Sequence, residues 1–210
     1  MTTLLPDPSS SCAEAFARLV QLVASCQRCP SMAGRRRVLS EHNGPIDALV
    51  LFIAEAPGRL GGDRSGIPLT ADRSGQNFNR LLTSAGLTRD RIFVTNVVLC
   101  NPRDARDRNR PPNKVEILNC HSHLEAQLAL VEAPIVATLG TTALRALDRI
   151  EPHGLRLREA VGQQFSWRDR RLVPLYHPSE QAMISRPFAR QAEDYQRLGC
   201  YVRELARSTA

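Results

Sequence analysis

Apolar and polar positions along the chain follow two alternating rhythms. Over residues 10–25, Phe16, Leu19, Val20, Leu22 and Val23 form a stripe at helical spacing behind a Ser-rich cap region, which predicts a helix delivering the chain to Cys26. After Arg35, Arg36 and Arg37, residues 47–55 hold an unbroken apolar run of strand length, the pattern of a strand buried on both faces. Gly and Pro punctuate residues 54–58, and a polar, glycine-bearing loop runs through Asp63, Gly66 and Asp72. Helical spacing resumes over 76–86 and stops at Gly86. The alternation then repeats as strand 91–99, helix 113–131, strand 133–140, helix 141–150, strand 171–177 and helix 187–206. Residues 151–169 are less periodic and read as a connection or short hairpin. Strands alternating with helices predict an α/β fold, a mainly parallel four-stranded sheet covered on both sides.

Ligands of an open parallel sheet bind beyond the carboxyl ends of its strands. Here those positions hold Glu55 with Pro57 and Gly58 after the first strand, Asn96 near the end of the second, Gly140 after the third, and His177-Pro178-Ser179 after the fourth. Turn chemistry alone favours Asn, Gly and Pro at strand ends. A carboxylate, an amide and an imidazole on the same edge point further, to a site.

Composition narrows what that site acts on. A chain of 210 residues with 42% hydrophobic content suits one well-buried domain over residues 1–210, with residues 1–9 expected to be disordered. No apolar run approaches the roughly 20 residues that span a bilayer, and the start lacks a basic segment followed by an apolar core, so a cytoplasmic protein without membrane association is expected. The formal net charge is +7, and the basic residues are 27 Arg and a single Lys, Lys114. Guanidinium forks suit phosphate, which favours a nucleic-acid partner, although GC-rich codon usage produces the same bias. Six cysteines, at 12, 26, 29, 100, 120 and 200, read as thiols or metal ligands rather than a disulfide framework. Cys26-Gln-Arg-Cys29 follows a helix instead of a strand, unlike a thioredoxin-type redox pair, while Cys100 and Cys120 sit at element boundaries. Four thiols suit tetrahedral zinc or a cubane iron–sulfur cluster, and spacing does not choose between them. Cys12 and Cys200 read as small core residues on helical faces.

Ala54-Glu-Ala-Pro-Gly58, Thr95-Asn96 with Cys100 close behind, Asn109-Arg110-Pro111 and His177-Pro178-Ser179, with Cys26-x-x-Cys29 upstream and Cys120 downstream, resemble the family 4 uracil-DNA glycosylases that carry an iron–sulfur cluster. The resemblance covers about Cys26 to Ser179 in order. It implies a three-layer αβα sandwich and a monomeric, monofunctional enzyme acting on DNA that contains uracil. It also implies a [4Fe–4S] cluster near the N-terminal helix, on Cys26, Cys29, Cys100 and Cys120. By the same resemblance Ala54, Ala56, Pro57, Gly58, Leu69, Asn96 and Ser179 line the base pocket. Asn96 reads the base, His177 stabilises the departing base, and Glu55 orients a water or offsets the cationic sugar. Arg110, Pro178, Ser179 and Met183 then contact DNA, with Met183 or Ile184 as an apolar wedge. The single lysine argues against a Schiff-base lyase step, and Lys114 reads as a solvated or phosphate-contacting charge.

Three departures from the family pattern carry expectations of their own. Ala54 replaces the usual Gly and is expected to change the pocket wall. Leu69 stands where the family has a base-stacking Phe, in a loop about one residue longer, which would open the pocket to deaminated purines such as xanthine or hypoxanthine; Phe78 fits core packing better than replacement stacking. The basic segment 103–110 is extended, and no histidine stands between Arg103 and Asn119, where a related group that traps uracil covalently carries one, so turnover is expected rather than trapping, and His121 and His123 are expected at the helix surface. Two other readings are a damaged or single-stranded DNA-binding protein that has lost catalysis, and a metal-bearing α/β protein acting on free nucleotides. Retention of Glu55, Asn96 and His177 argues against the first, the arginine excess against the second.

Overall fold

A computed structural model describes residues 11–208; the expectation of disorder over residues 1–9 lies outside the described residues. The chain opens with α1 (Cys12–Ala24), where the Ser11 hydroxyl accepts from the Glu14 amide and the Glu14 carboxylate accepts from the Ser11 amide. This reciprocal cap satisfies two otherwise orphaned donors. α1 buries Ala15, Phe16, Leu19 and Val23. Then follow β1 (Val50–Ala54), α2 (Gly62–Ser65), α3 (Arg73–Ala85), β2 (Ile92–Asn96), α4 (Lys114–Leu130), β3 (Ile135–Leu139) and α5 (Thr141–Ile150). The last part holds α6 (Leu157–Ala160), β4 (Phe165–Trp167), β5 (Arg170–Leu175), α7 (Glu180–Ser185) and α8 (Phe188–Ser208).

The sheet has five strands in the order β2-β1-β3-β5-β4, with β2, β1, β3 and β5 parallel and β4 antiparallel to β5. Four strands were expected. The extra strand, β4, lies inside residues 151–169 and forms a hairpin with β5, which lies beyond them; it escapes the pattern because it is three residues long with only Trp167 buried. β2 also ends at Asn96 instead of running to residue 99: the Val97 amide makes the last ladder bond, to the Ala54 carbonyl at 2.8 Å, and the Val98 amide then goes to the Glu55 carbonyl at 3.1 Å, outside the ladder pattern. Residues 97–99 stay buried, so the apolar signal continues past the strand.

Alternation along β1 divides the core. Leu51 and Ile53 pack with residues of α1, α4 and α5, whereas Val50, Phe52 and Ala54 pack with α3 and α8. The result is helices on both faces of the sheet. Phe78 is fully buried, edge-on to Phe52 at 5.1 Å, and so belongs to the core. Three expectations are corrected. Cys12 and Cys200 are exposed, beside Glu132 and Arg203 respectively. His123 is buried at 2% exposure, with no hydrogen-bond partner for either ring nitrogen among the described residues. Ala54 is wholly buried and points to α3 and α8, so its methyl group fills core and not a pocket wall.

Candidate active site and cysteine cavity

In the strand order β1 lies between β2 and β3, and the chain leaves it first to one side and later to the other. The carboxyl edge at such a reversal is where an open sheet leaves a crevice. A cleft of about 670 Å³ opens there, lined by Glu55, Asn96, Gly140 and His177, and by Ala56, Pro57, Gly58, Leu69, Arg110 and Ser179 from the sequence-predicted set. Ala54, Pro178 and Met183 do not line it. Pro178 is buried with its carbonyl accepting from Asn77 Nδ2 at 3.1 Å, and Met183 Sδ lies 3.9 Å from the same nitrogen.

Each polar group in the cleft is held differently. Asn96, 2% exposed at the end of β2, keeps its Nδ2 buried without an acceptor among the described residues. Leaving such a donor unsatisfied costs about 1–3 kcal/mol, a cost that a bound acceptor would remove. One Glu55 carboxylate oxygen accepts from Thr142 Oγ1 at 2.5 Å; the other has no protein donor among the described residues. Burial pushes His177 down to about 4, so its imidazole is neutral at neutral pH and can donate from one nitrogen. Gly140, at φ 96°, brings the start of α5 against His177; a Cβ there would lie 3.6 Å from His177 Cβ. Asp63, in the polar loop after β1, is ion-paired to Arg103, accepts from the Arg36 amide at 3.1 Å, and does not line the cleft.

Several lining groups carry no signal in the sequence. Asp72 caps α3 by accepting from the Gly75 amide at 2.9 Å, and its second oxygen lies so close to Gly58 and Gly61 that a Cβ on either would come within 2.8 or 2.3 Å. Glycine at these two positions lets the turn after β1 close on that carboxylate. Tyr176 and Thr142 also line the cleft. Leu69 and Ala71 adopt left-handed backbone at φ 50° and 62°, which costs about 1–3 kcal/mol per non-glycine residue.

Arg110 is not a free cation. Its guanidinium makes two bonds to the Glu116 carboxylate at 2.8 and 2.6 Å and others to the Arg103 and Pro111 carbonyls. Glu116, 4% exposed, also accepts from the Asn113 amide and Ser31 Oγ. Arg110 therefore fixes the loop before α4. Asn109 likewise ties loops together, accepting from the Arg59 amide and from Asn101 Nδ2, both at 3.0 Å. Adjoining the cleft is a shallow basin of about 320 Å³ whose walls include Arg59, Arg73 and Arg108. Arg73 pairs with Glu180 and Arg108 with Asp104, whereas the Arg59 guanidinium has no hydrogen-bonded acceptor among the described residues.

Cys26, Cys29, Cys100 and Cys120 line one small cavity with Arg28, Arg37 and Asn119. Among the described residues no three acidic, Cys or His side chains meet closely enough to hold one metal ion. A cubane has a separate metal corner for each thiolate, so its ligands stand wider apart than those of one ion. The donor set fits such a body. Asn119 Nδ2 donates to Cys29 Sγ at 3.5 Å and the Leu99 amide to Cys120 Sγ at 3.4 Å, the N–H···S contacts that tune cluster sulfurs. Burial, reinforced by the neighbouring sulfurs, pushes the Cys100 thiol up to about 11 and Cys120 up to about 12. A metal group with net positive corners would replace the protons held there.

The sequence model of the Uracil DNA glycosylase superfamily matches residues 41–198, from just before β1 into α8. This chain belongs to the uracil DNA glycosylase superfamily. Among curated relatives of this glycosylase-superfamily chain, a type-4 uracil-DNA glycosylase of Thermotoga maritima is 28% identical over 75% of the chain and 78% of its own length. A type-4 uracil-DNA glycosylase of Sulfurisphaera tokodaii is 27% identical over 92% and 86%. A type-5 uracil-DNA glycosylase of Pyrobaculum aerophilum is 29% identical over 62% and 68%. The superfamily match contains Glu55, Asn96, His177, Cys100 and Cys120, while Cys26 and Cys29 precede it.

Proposed function

We propose that this superfamily member hydrolyses the N-glycosidic bond of uracil extruded from DNA, leaving an abasic site without cutting the strand. The observation that carries the reading is the buried Asn96 Nδ2, without an acceptor among the described residues, in a cleft that also holds Glu55 and a neutral His177. An amide side chain offers one donor and one acceptor, the pair needed to read a uracil edge. A neutral imidazole donates to the base carbonyl on which negative charge grows as the bond breaks, without having to lose a proton. Glu55, fixed by Thr142, orients water and offsets charge on the sugar. Lys114 is exposed at the first turn of α4 and does not line the cleft, which supports hydrolysis without a Schiff base. Borohydride added during turnover should trap no covalent adduct; a trapped adduct would overturn that part.

The neighbouring basin supports a phosphate seat for the strand beside the extruded nucleotide, with Arg59 as its uncommitted cation. On α7, Ile184 is 79% exposed whereas Met183 is half-buried, which favours Ile184 as the apolar wedge. The four cavity cysteines would hold a [4Fe–4S] cluster whose contribution is a structural tie between the segment after α1 and the start of α4. Leu69 in the cleft supports a second substrate class: without an aromatic at this position the wall admits deaminated purines, so xanthine and hypoxanthine join uracil as substrates. Side-by-side base-release assays test this, and strict uracil specificity would count against it. The enzyme is proposed to act as a cytoplasmic monomer.

A further inference from the structure

The loop between α2 and α3 forms the Leu69 side of the cleft in a conformation its residues do not favour. Leu69 and Ala71 are both left-handed, and Gly75 comes so close to the turn that a Cβ would lie 2.7 Å from the Leu69 carbonyl oxygen. On its outer side the loop holds itself, through Ser65 Oγ on the Gly61 and Ile67 carbonyls and Thr70 Oγ1 on the Ile67 carbonyl. Among the described residues, Arg89 holds it from outside. Arg89, just before β2, sends Nη1 to the Pro68 carbonyl at 3.1 Å, Nη2 to the Leu69 carbonyl, and Nε to Asn79 Oδ1 at 3.0 Å. Its guanidinium carbon lies 4.9 Å from the ring centre of Phe78, itself fixed in the core. The planar fork thus joins two consecutive carbonyls to α3 and an aromatic face, which a lysine could not do.

We infer that Arg89 is a positioning residue for the base pocket: it clamps the Pro68 and Leu69 carbonyls against α3, keeps the left-handed turn in place, and so fixes the Leu69 wall that the extruded base meets. Arg89 does not line the cleft and acts only through the loop. A wall on an unclamped turn would sample other backbone conformations, and the base would meet a less organised surface. The inference rests on the reading of the cleft as a uracil pocket, and its test keeps the two apart.

The experiment measures inhibition of base release by free uracil, and separately affinity for DNA carrying an abasic site, which places nothing against the Leu69 wall. Arg89→Met keeps the packing on Phe78 and removes the carbonyl bonds. It should weaken uracil inhibition about 10-fold while changing affinity for abasic DNA by less than about 2-fold. Arg89→Lys, the variant to use if Met compromises folding, should fall between. Adding Ala71→Gly to Arg89→Met should recover part of the loss, because glycine adopts the left-handed backbone at no steric cost; a residue needed only for general stability would weaken both ligands together, without such rescue. Equal losses for uracil and abasic DNA, or no loss, would overturn the clamp. If the wild type releases no uracil, the functional reading fails instead, and amide exchange over residues 67–72 decides the clamp: faster exchange in Arg89→Met supports it, unchanged exchange overturns it.

Discussion

At Arg110 the side chain's partners give the residue a structural part that its type does not suggest. An arginine beside a predicted DNA pocket reads as a phosphate contact, yet its fork is spent on a carboxylate that is 4% exposed. Removing one partner of a buried pair costs about 3–5 kcal/mol, toward the lower end here because Arg110 itself is partly exposed. Arg110→Ala is therefore expected to lower the unfolding free energy by about 3 kcal/mol, read by denaturant titration. Arg59→Ala should leave stability within about 0.5 kcal/mol and reduce the salt slope of DNA binding by about one. The reverse assignment of these two effects would refute the division of roles. His177 makes a second residue-scale prediction. With its imidazole held to about 4, kcat/KM on uracil DNA should stay level from about pH 6 upward and fall with a midpoint near 4; a midpoint near 6.5 would mean a solvated ring. His123 shares that shift, by burial first and the Arg28 charge second. The unfolded chain takes up these protons near pH 6.5 and the folded chain only near 4, so the stability present above 6.5 is lost as pH falls through that window. His123→Leu should lessen the loss by up to about 1.4 kcal/mol per pH unit.

Among the elements, those with a continuous signal were readable from sequence. β1 is five buried apolar residues, and α3 shows its apolar face and ends on Gly86. Placing Glu55, Asn96 and His177 on one edge needed only the alternation of strands and helices and the rule for parallel sheets. What could not be read depends on partners distant in sequence. Asp72 reads as part of a polar loop, yet it caps α3 and its second oxygen faces the turn after β1. Segment 103–110 looks like a string of free cations; instead Arg103 pairs with Asp63 and Asp107, Arg108 with Asp104, and Arg103 bridges to Asn109. The backbone of Leu69 gives no sign in its side-chain type, and the reason for its conformation lies 20 residues away at Arg89. α7 is the element most open to change, since none of its residues is buried. Ile184→Ser should leave stability unaltered and slow base release from duplex DNA more than from single strands, where no base has to be unstacked from a helix; equal slowing would remove the wedge role.

For the whole molecule, the +7 charge is distributed as a set of committed and uncommitted arginines and not as a uniform coat. Those that staple loops set the shape of the cleft, and Arg59 stands in the neighbouring basin with no hydrogen-bonded acceptor among the described residues. No helix among the described residues is long and apolar enough to cross a membrane. The cysteine cavity lies between α1, the loop after β2 and α4, so loss of a cluster there should loosen one face of the sandwich without touching the strand-end groups. Protein purified without oxygen should be brown and contain iron and sulfide in equal amounts, and Cys100→Ser should lose the colour; colourless wild-type protein containing zinc would contradict the cubane reading. The central claim is that Asn96 at the end of β2 reads uracil in DNA. Alkaline cleavage of a duplex with one uracil tests it most directly: the account predicts an alkali-labile site with the wild type and a rate lower by about 100-fold or more with Asn96→Asp, whereas no cleavage with the wild type, or equal cleavage with both, would contradict it.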